Sequence, residues 1–383
     1  MAFRQMNFYV ILLFLVSLFA HQNAVHGWWW WHHHHQPLPA PAPGQAPSPW
    51  HHHHAYPDFF HYHKKIFVFG DSYADTGNSR LTEESWHCPY GMTIPRVPSG
   101  RYSDGLILTD FFAKRFGVIG PGPVPFQQWR KMISPFHLFG SSIFGMNFAH
   151  GGTGVFDTLV SAPNMTAQID LFEQVMSSHY RGFDLNNSIA LVTNSGNDYA
   201  AFMHNQDNDT VVAADLLGFS PKVTDQLVSN LKRIQALGIK KIAVASLPPL
   251  GCLPRVTVSN SYKHCDDTVG SLVDTHNGAL SKSVGDLNQA TANNTFVLLD
   301  LDKAFKDVLQ GKEYAYRFPD SLRGCCVGKT SYNYCGDVDK QWRPLYTVCP
   351  NRLRSFFWDM DHPTMSGWEA VFERLLPTLQ LLE

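Results

Sequence analysis

A charge excess of one sign is the first thing this 383-residue chain lacks. Lys plus Arg number 30 and Asp plus Glu 32, a net charge of -2 with His neutral. Without a basic excess there is no electrostatic footprint for nucleic acid, and none is expected as a partner. Long apolar runs are also scarce. The longest, Phe8 to Ala20, spans about 13 residues, short of the roughly 20 that cross a bilayer as a helix. No C-x-x-C pair and no H-E-x-x-H are present, so the usual zinc patterns are absent. There is no G-x-x-x-x-G-K-[ST] and no G-x-G-x-x-G after a strand, which removes the common phosphate and dinucleotide loops. No G-x-S-x-G surrounds a candidate serine, so the sharp nucleophile elbow is not indicated.

What is abundant is histidine. Of 20 His, twelve fall within the first 63 residues. Residues 1–27 read as a secretory signal peptide: Arg4, the apolar run, then polar and small residues such as Ala24 and Gly27. The competing reading is a membrane anchor. Residues 28–63 are a Trp/His/Pro-rich arm, with Trp28 to Trp31, His32 to His35, His51 to His54 and six prolines from Pro37 to Pro49. Proline at that density favours extended chain and denies regular ladders their donors, so a disordered or semi-rigid arm is expected. Low-complexity drift without function, weak metal binding, and docking on a membrane surface or cell wall at acidic pH are the alternatives for it.

A secreted chain permits disulfides. The seven cysteines are Cys88, Cys252, Cys265, Cys325, Cys326, Cys335 and Cys349. Cys252 with Cys265 would close a short loop, and the last four can hold further bridges. The odd count leaves one thiol over, either Cys88 or one of the adjacent pair. Four glycosylation sequons begin at Asn164, Asn186, Asn208 and Asn293.

After residue 63 the pattern is α/β, with no internal repeat and no Gly/Ser linker, so residues 64–383 read as one domain. Lys65 to Gly70, Ile189 to Thr193, Lys241 to Ser246 and Thr295 to Leu299 are short apolar runs suited to buried strands. Val223 to Leu237 has helical periodicity and stops at Gly238; a second helix starts near His276; Glu369 to Leu382 closes the chain, with Pro377 as a possible kink. Strands alternating with helices imply a parallel sheet covered on both faces, with ligands at the carboxyl ends of the strands.

Polar residues gather at those ends. Lys65 to Gly70 runs into Asp71-Ser72-Tyr73-Ala74-Asp75-Thr76-Gly77-Asn78. Ile189 to Thr193 leads to Asn194-Ser195-Gly196-Asn197-Asp198-Tyr199. A Gly-rich segment, Gly145 to Gly154, would let backbone N–H groups approach a ligand. Near the far end stands Trp358-Asp359-Met360-Asp361-His362. Ser, His and Asp with Gly and Asn donors are the parts of acyl-transfer chemistry. Asp71 and Asp198 read as braces, Tyr199 and Trp358 as core or cleft wall.

In this order, and with Arg101-Tyr102-Ser103-Asp104-Gly105 between them, these blocks resemble the plant-type GDSL esterase/lipases of the SGNH-hydrolase superfamily. The resemblance covers roughly residues 64–364. It implies a three-layer α/β/α sandwich with a central parallel sheet of about five strands, flavodoxin-like, and serine ester hydrolysis without metal or organic cofactor. It assigns Ser72 as nucleophile, His362 as base and Asp359, three residues earlier, as the acid, in preference to Asp361. It assigns the oxyanion hole to Ser72, Gly152 and Asn197, with Gly151 as the fallback for Gly152. Two departures stand out: Tyr73 replaces the Leu of the name motif, and Ser195 replaces a usual Gly, which is costly only if φ there is positive. A secreted esterase or lipase acting on lipid or acylated wall material is the expected function. An acyltransferase on the same machinery and a non-catalytic binding protein are the alternatives.

Overall fold

The computed structural model describes residues 64–118, 122–131, 144–180, 185–205, 213–291 and 294–383. The expected signal peptide, the His-rich arm and two of the sequons, Asn208 and Asn293, lie outside the described residues. Six parallel strands form the central sheet: β1 (Lys65–Phe69), β2 (Val124–Pro125), β3 (Gly145–Asn147), β4 (Ser188–Val192), β5 (Lys241–Ala245) and β6 (Phe296–Leu299). Their order is β2-β3-β1-β4-β5-β6. Without the two-residue edge strand β2 this is the flavodoxin-like order. The expectation of about five strands is therefore one short. Val124–Pro125 is too brief and too Pro-flanked to announce itself by pattern.

The strands are apolar along their whole length because both faces are covered. Ile66, Phe67, Val68 and Phe69 of β1 are fully buried, as are Ile189, Ala190 and Leu191 of β4. Register sets Val68 beside Leu191 on one side and beside Asn147 on the other. The helices are α1 (Leu108–Arg115), α2 (Met165–His179), α3 (Asn197–His204), α4 (Ala213–Ala236), α5 (Asp267–Thr291), α6 (Leu301–Gln310) and α7 (Met365–Leu379). They fall into two packed groups. Helix α4 lies against α2 and α5, while α7 lies against α1 and α6, and α5 and α7 both reach β6. Phe172 of α2 meets Phe67 and Phe69 at 4.7 and 5.5 Å between ring centroids. Among the described residues no helix is long and apolar enough to cross a membrane.

Three helices begin earlier than their periodicity suggests. Helix α4 starts at Ala213 and carries Pro221 inside it; α5 starts at Asp267. Helix α7 starts at Met365 because Thr364 caps it, its Oγ1 accepting from the Gly367 N–H at 2.9 Å. Pro377 falls in the last turn of α7.

Disulfides join Cys252 to Cys265, Cys325 to Cys349 and Cys326 to Cys335, leaving Cys88 free and exposed. The last two bridges staple an antiparallel hairpin, β7 (Cys326–Gly328) with β8 (Tyr346–Val348). Its root hydrogen-bonds the segment that leads to His362: Cys325 N–H to Phe357 O at 3.0 Å and Cys326 N–H to Trp358 O at 2.6 Å.

Candidate active site

Strand β1 ends at Phe69, and the residue that follows, Gly70, has to be glycine. Its φ is +135°, and a Cβ there would lie 2.2 Å from Thr193 Oγ1 at the end of β4. The turn that follows is closed by Ala74 and Asp75 N–H groups on Asp71 O, at 3.0 and 2.9 Å. Asp71 is fully buried and accepts from Thr193 Oγ1 at 3.0 Å, Tyr73 N at 3.2 Å and the Ser195 N–H. Burial pushes its carboxyl up, and those donors pull against it. Asp71 thus braces the ends of β1 and β4 together, leaving Ser72 on the turn above them.

Asp75 is the hub of the next layer. One carboxylate oxygen accepts the N–H groups of Gly77 and Asn78 at 2.8 and 2.7 Å. The other takes Ser79 Oγ at 2.6 Å and the Gly151 N–H at 3.0 Å. Asn147 and Asn78 complete the web, with Asn147 Nδ2 donating to Ala74 O and Asn78 Nδ2 to Asn147 O and Ala149 O, each at 2.8 Å. This pins the block after β3 against the Ser72 turn. It also separates the two glycines: the Gly151 N–H is spent on Asp75, whereas the Gly152 N–H has no acceptor among the described residues. Gly152 has φ +76°.

Asn197 opens α3 after β4, and its Nδ2 donates to Thr153 O at 3.0 Å, which leaves its second amide hydrogen free of that bond. The left-handed turn before it falls on Gly196, φ +107°, and Ser195 has no positive φ, so the substitution of Ser for Gly there carries no strain. Asp198 is a brace, accepting from Val155 and Phe156 N–H at 3.1 and 3.0 Å. Trp358 is wholly interior; Tyr199 is buried too, yet it also lines the cleft.

The segment 359–362 faces Ser72. His362 Nε2 stands 2.7 Å from Ser72 Oγ, and His362 Nδ1 lies 2.9 Å from each oxygen of Asp359. A carboxylate accepts only, so Nδ1 carries the proton and Nε2 is free to accept from Ser72. Asp359 Oδ1 also takes the backbone N–H groups of Asp361 and His362 at 2.8 Å, so the three-residue spacing folds the carboxylate over its own turn. Asp361 turns elsewhere, its Oδ1 taking Arg255 Nε at 2.7 Å. Burial alone would raise Asp359 and lower His362. Their mutual attraction and hydrogen bonds outweigh it, holding Asp359 below the usual carboxylate value and His362 above the ordinary 6.5.

Two residues of the site, Tyr90 and Glu84, were not singled out from the sequence, and Tyr73 was noted only as a departure from the name motif. Tyr73 does more than adjoin Ser72: its hydroxyl donates to Asp361 O at 2.8 Å and its ring stands 5.0 Å from that of Trp368, which ties the Ser72 turn to the His362 turn. Tyr90 donates its hydroxyl to Asp359 Oδ2 at 2.8 Å. Glu84 stands at the cleft rim, its carboxyl pushed up to about 7 by desolvation and the Asp359 charge. Tyr90 sits in irregular chain and Glu84 on the short 3-10 turn Glu84–Trp86, neither with a periodic signal, and only their position in space marks them.

Ser72, Gly152, Asn197 and His362 open on one cleft of about 910 Å³. Tyr102, stacked 5.1 Å from the His362 ring, and Glu84 line it near His362. Leu216, Leu217, Leu250, Leu253, Val256 and Leu272 supply an apolar wall. Among the described residues no three His, Cys, Asp or Glu side chains are grouped to hold a metal ion.

A parallel sheet covered on both faces, with a polar cleft beyond the carboxyl ends of its strands, defines the class of three-layer α/β hydrolases. Residues 66–375 match the model of the GDSL-like lipase/acylhydrolase family. A GDSL esterase/lipase of Arabidopsis thaliana is 44% identical over 321 residues, covering 82% of this chain and 86% of that protein. A second from the same plant is 42% identical over 318 residues, covering 81% and 87%. Among solved structures, a lipase from a goat rumen metagenome covers 82% of this chain and 97% of its own at a TM-score of 0.38 and 11% identity. The chain belongs to the GDSL-like lipase/acylhydrolase family. It is a carboxylic ester hydrolase, and small-molecule esters are its substrates.

Proposed function

We propose that this hydrolase cleaves esters through Ser72, His362 and Asp359. The observation that carries the reading is the continuous hydrogen-bonded chain from Ser72 Oγ through the His362 ring to Asp359. As Ser72 Oγ bonds to the ester carbonyl carbon, His362 Nε2 takes its proton. The carbonyl electron pair moves onto oxygen, which the N–H groups of Ser72 and Gly152 and the Asn197 amide receive. Collapse breaks the bond to the alcohol, which leaves with the proton from His362. Water, activated by the same imidazole, then releases the acid and restores Ser72. Asp359 keeps Nδ1 protonated and stabilises the imidazolium formed at each step.

The apolar wall of the cleft supports an acyl group with a hydrocarbon chain, as in lipid or acylated wall esters. Secretion is part of the same proposal. It is supported by the signal-like start and by three disulfides, which persist in oxidising compartments. The test is hydrolysis of p-nitrophenyl esters of increasing chain length by the wild type and Ser72→Ala. Loss of turnover and of organophosphonate labelling, with folding intact, is expected; retained turnover rejects Ser72.

A further inference from the structure

Asp359 receives a donor that a Ser–His–Asp chain does not itself require. We propose that Tyr90 is a positioning residue for the acid: its hydroxyl fixes Asp359 Oδ2 and draws off part of the carboxylate charge, setting the proton affinity of His362. The inference rests on the reading of Asp359 as the orienting acid. Asp359 Oδ2 is shared between Tyr90 Oη at 2.8 Å and His362 Nδ1 at 2.9 Å. A donor to a carboxylate lowers its basicity, so the same oxygen attracts the imidazolium less strongly.

Tyr90 is built for this one contact. It is 3% exposed, on the turn closed by its own N–H to His87 O at 3.0 Å. Its ring stands edge-on to Trp358 and Tyr102, at 6.0 and 6.2 Å. With Cys325, Cys326 and Cys335 these form a small core of their own, distinct from the main one. The hydroxyl therefore has little freedom to seek another acceptor, and burial with the Asp359 charge keeps it protonated, its pKa raised well above 10.

Removal of the hydroxyl is separable from removal of the carboxylate's orientation. Asp359 Oδ1 is held independently by the N–H groups of Asp361 and His362. Tyr90→Phe therefore leaves the carboxylate in place and changes its charge. A more basic Asp359 raises the pKa of His362 further, because the charged imidazole gains most from the added negative charge.

Other charges face the same pair. Asp361, on the segment's own turn, is matched by Arg255 from the 254–257 turn. Tyr73 and Tyr102 contact the imidazole as neutral hydroxyl-bearing rings. Glu84, from the 84–86 turn, titrates at about 7 within electrostatic reach of both. It would imprint its own limb on a rate profile, so both arms of the test carry Glu84→Gln.

The experiment is the pH profile of kcat/KM for p-nitrophenyl butyrate hydrolysis by the full chain, with and without Tyr90→Phe. The acidic limb is expected at higher pH in the Phe variant. Below both limbs its kcat/KM falls tenfold for each unit of that shift, while the high-pH plateau changes by only about threefold. A limb that stays in place or moves down overturns the proposal, whatever happens to the plateau, since mere loosening lowers the plateau alone. The same substitution in an Asp359→Asn background should no longer move the limb, and an equal shift there also overturns it. If Asp359→Asn by itself leaves activity unchanged, the fault lies instead in the choice of acid.

Discussion

Two carboxylates flank His362, and exchanging each for an amide separates them. Asp359→Asn removes the charge 2.9 Å from Nδ1 and replaces an acceptor with a group that can also donate. Two backbone N–H groups need an acceptor at the Oδ1 position, so the Asn oxygen stays there and its NH₂ takes the Oδ2 position, between Nδ1 and the Tyr90 hydroxyl, which then accepts. That forces the proton onto Nε2, where it opposes proton uptake from Ser72. The same change in a serine-protease triad lowers kcat roughly 10⁴-fold, equivalent to about 5.4 kcal/mol of barrier. Asp361→Asn removes an ion pair whose Arg255 side chain is 57% exposed. An exposed pair is worth about 0–1 kcal/mol, so a loss of fivefold or less, roughly, is expected. The profiles differ as well. The Asp359 charge is what holds His362 above 6.5 against the pull of burial. In the wild type, kcat/KM should therefore reach half its plateau above pH 6.5, where His362 becomes neutral. In Asp359→Asn that limb moves to lower pH. Assay both variants and their parent with one p-nitrophenyl ester between pH 5 and 9, all carrying Glu84→Gln so that this carboxyl adds no limb of its own, with circular dichroism to confirm folding. Small losses of equal size would refute the assignment of Asp359, and so would an unmoved limb in its Asn variant.

Asn197→Ala should lower kcat by about a hundred- to thousandfold with little change in KM, as measured by steady-state kinetics; an unchanged kcat removes Asn197 from the oxyanion hole. Cys326→Ser with Cys335→Ser should cost about 2–4 kcal/mol in urea unfolding and depress activity at moderate temperature, because the hairpin root supports the turn that carries Asp359. Full stability would show that the hairpin holds without its bridge. His276 is buried, its Nδ1 2.8 Å from Tyr199 Oη, and burial pulls its pKa down to about 4. The unfolded chain binds that proton near 6.5 and the folded one does not, so stability is lost as pH falls from about 6.5 to about 4, by roughly 3 kcal/mol. His276→Asn should flatten that part of a melting-temperature profile, and an unaltered slope would assign it to other groups. Deletion of residues 28–63 should leave p-nitrophenyl ester hydrolysis at the wild-type rate. If the histidines dock the chain on anionic wall or membrane at pH 5, the same deletion abolishes that retention.

Strand and block order were legible because each carries a local reason. Both-face burial makes β1, β4, β5 and β6 read as continuous apolar runs, and the polar blocks that follow β1 and β4 stand where a parallel sheet presents its ligands. Two strands were not legible: β3 falls in the segment read as Gly-rich, and Val124–Pro125 pairs only through β3 and has no period of its own. Cys252 with Cys265 is a local loop and could be anticipated; the two nested bridges of the hairpin depend on how residues 325–349 fold back.

The resemblance names Ser72, Gly152, Asn197, Asp359 and His362 without coordinates, because it rests on short motifs with local spacing. The tertiary structure decided the matters that depend on who is left without a partner. The resemblance left Gly151 as a fallback for Gly152; the Asp75 carboxylate, 76 residues away in sequence, takes the Gly151 N–H and leaves that of Gly152 without an acceptor among the described residues. Asp359 and Asp361 are likewise distinguished by where Arg255 lies. Tyr90 gains a role only when 269 residues of chain bring it to Asp359. Local pattern encodes burial and turn, but the sharing of hydrogen bonds among distant groups is a property of the packed molecule.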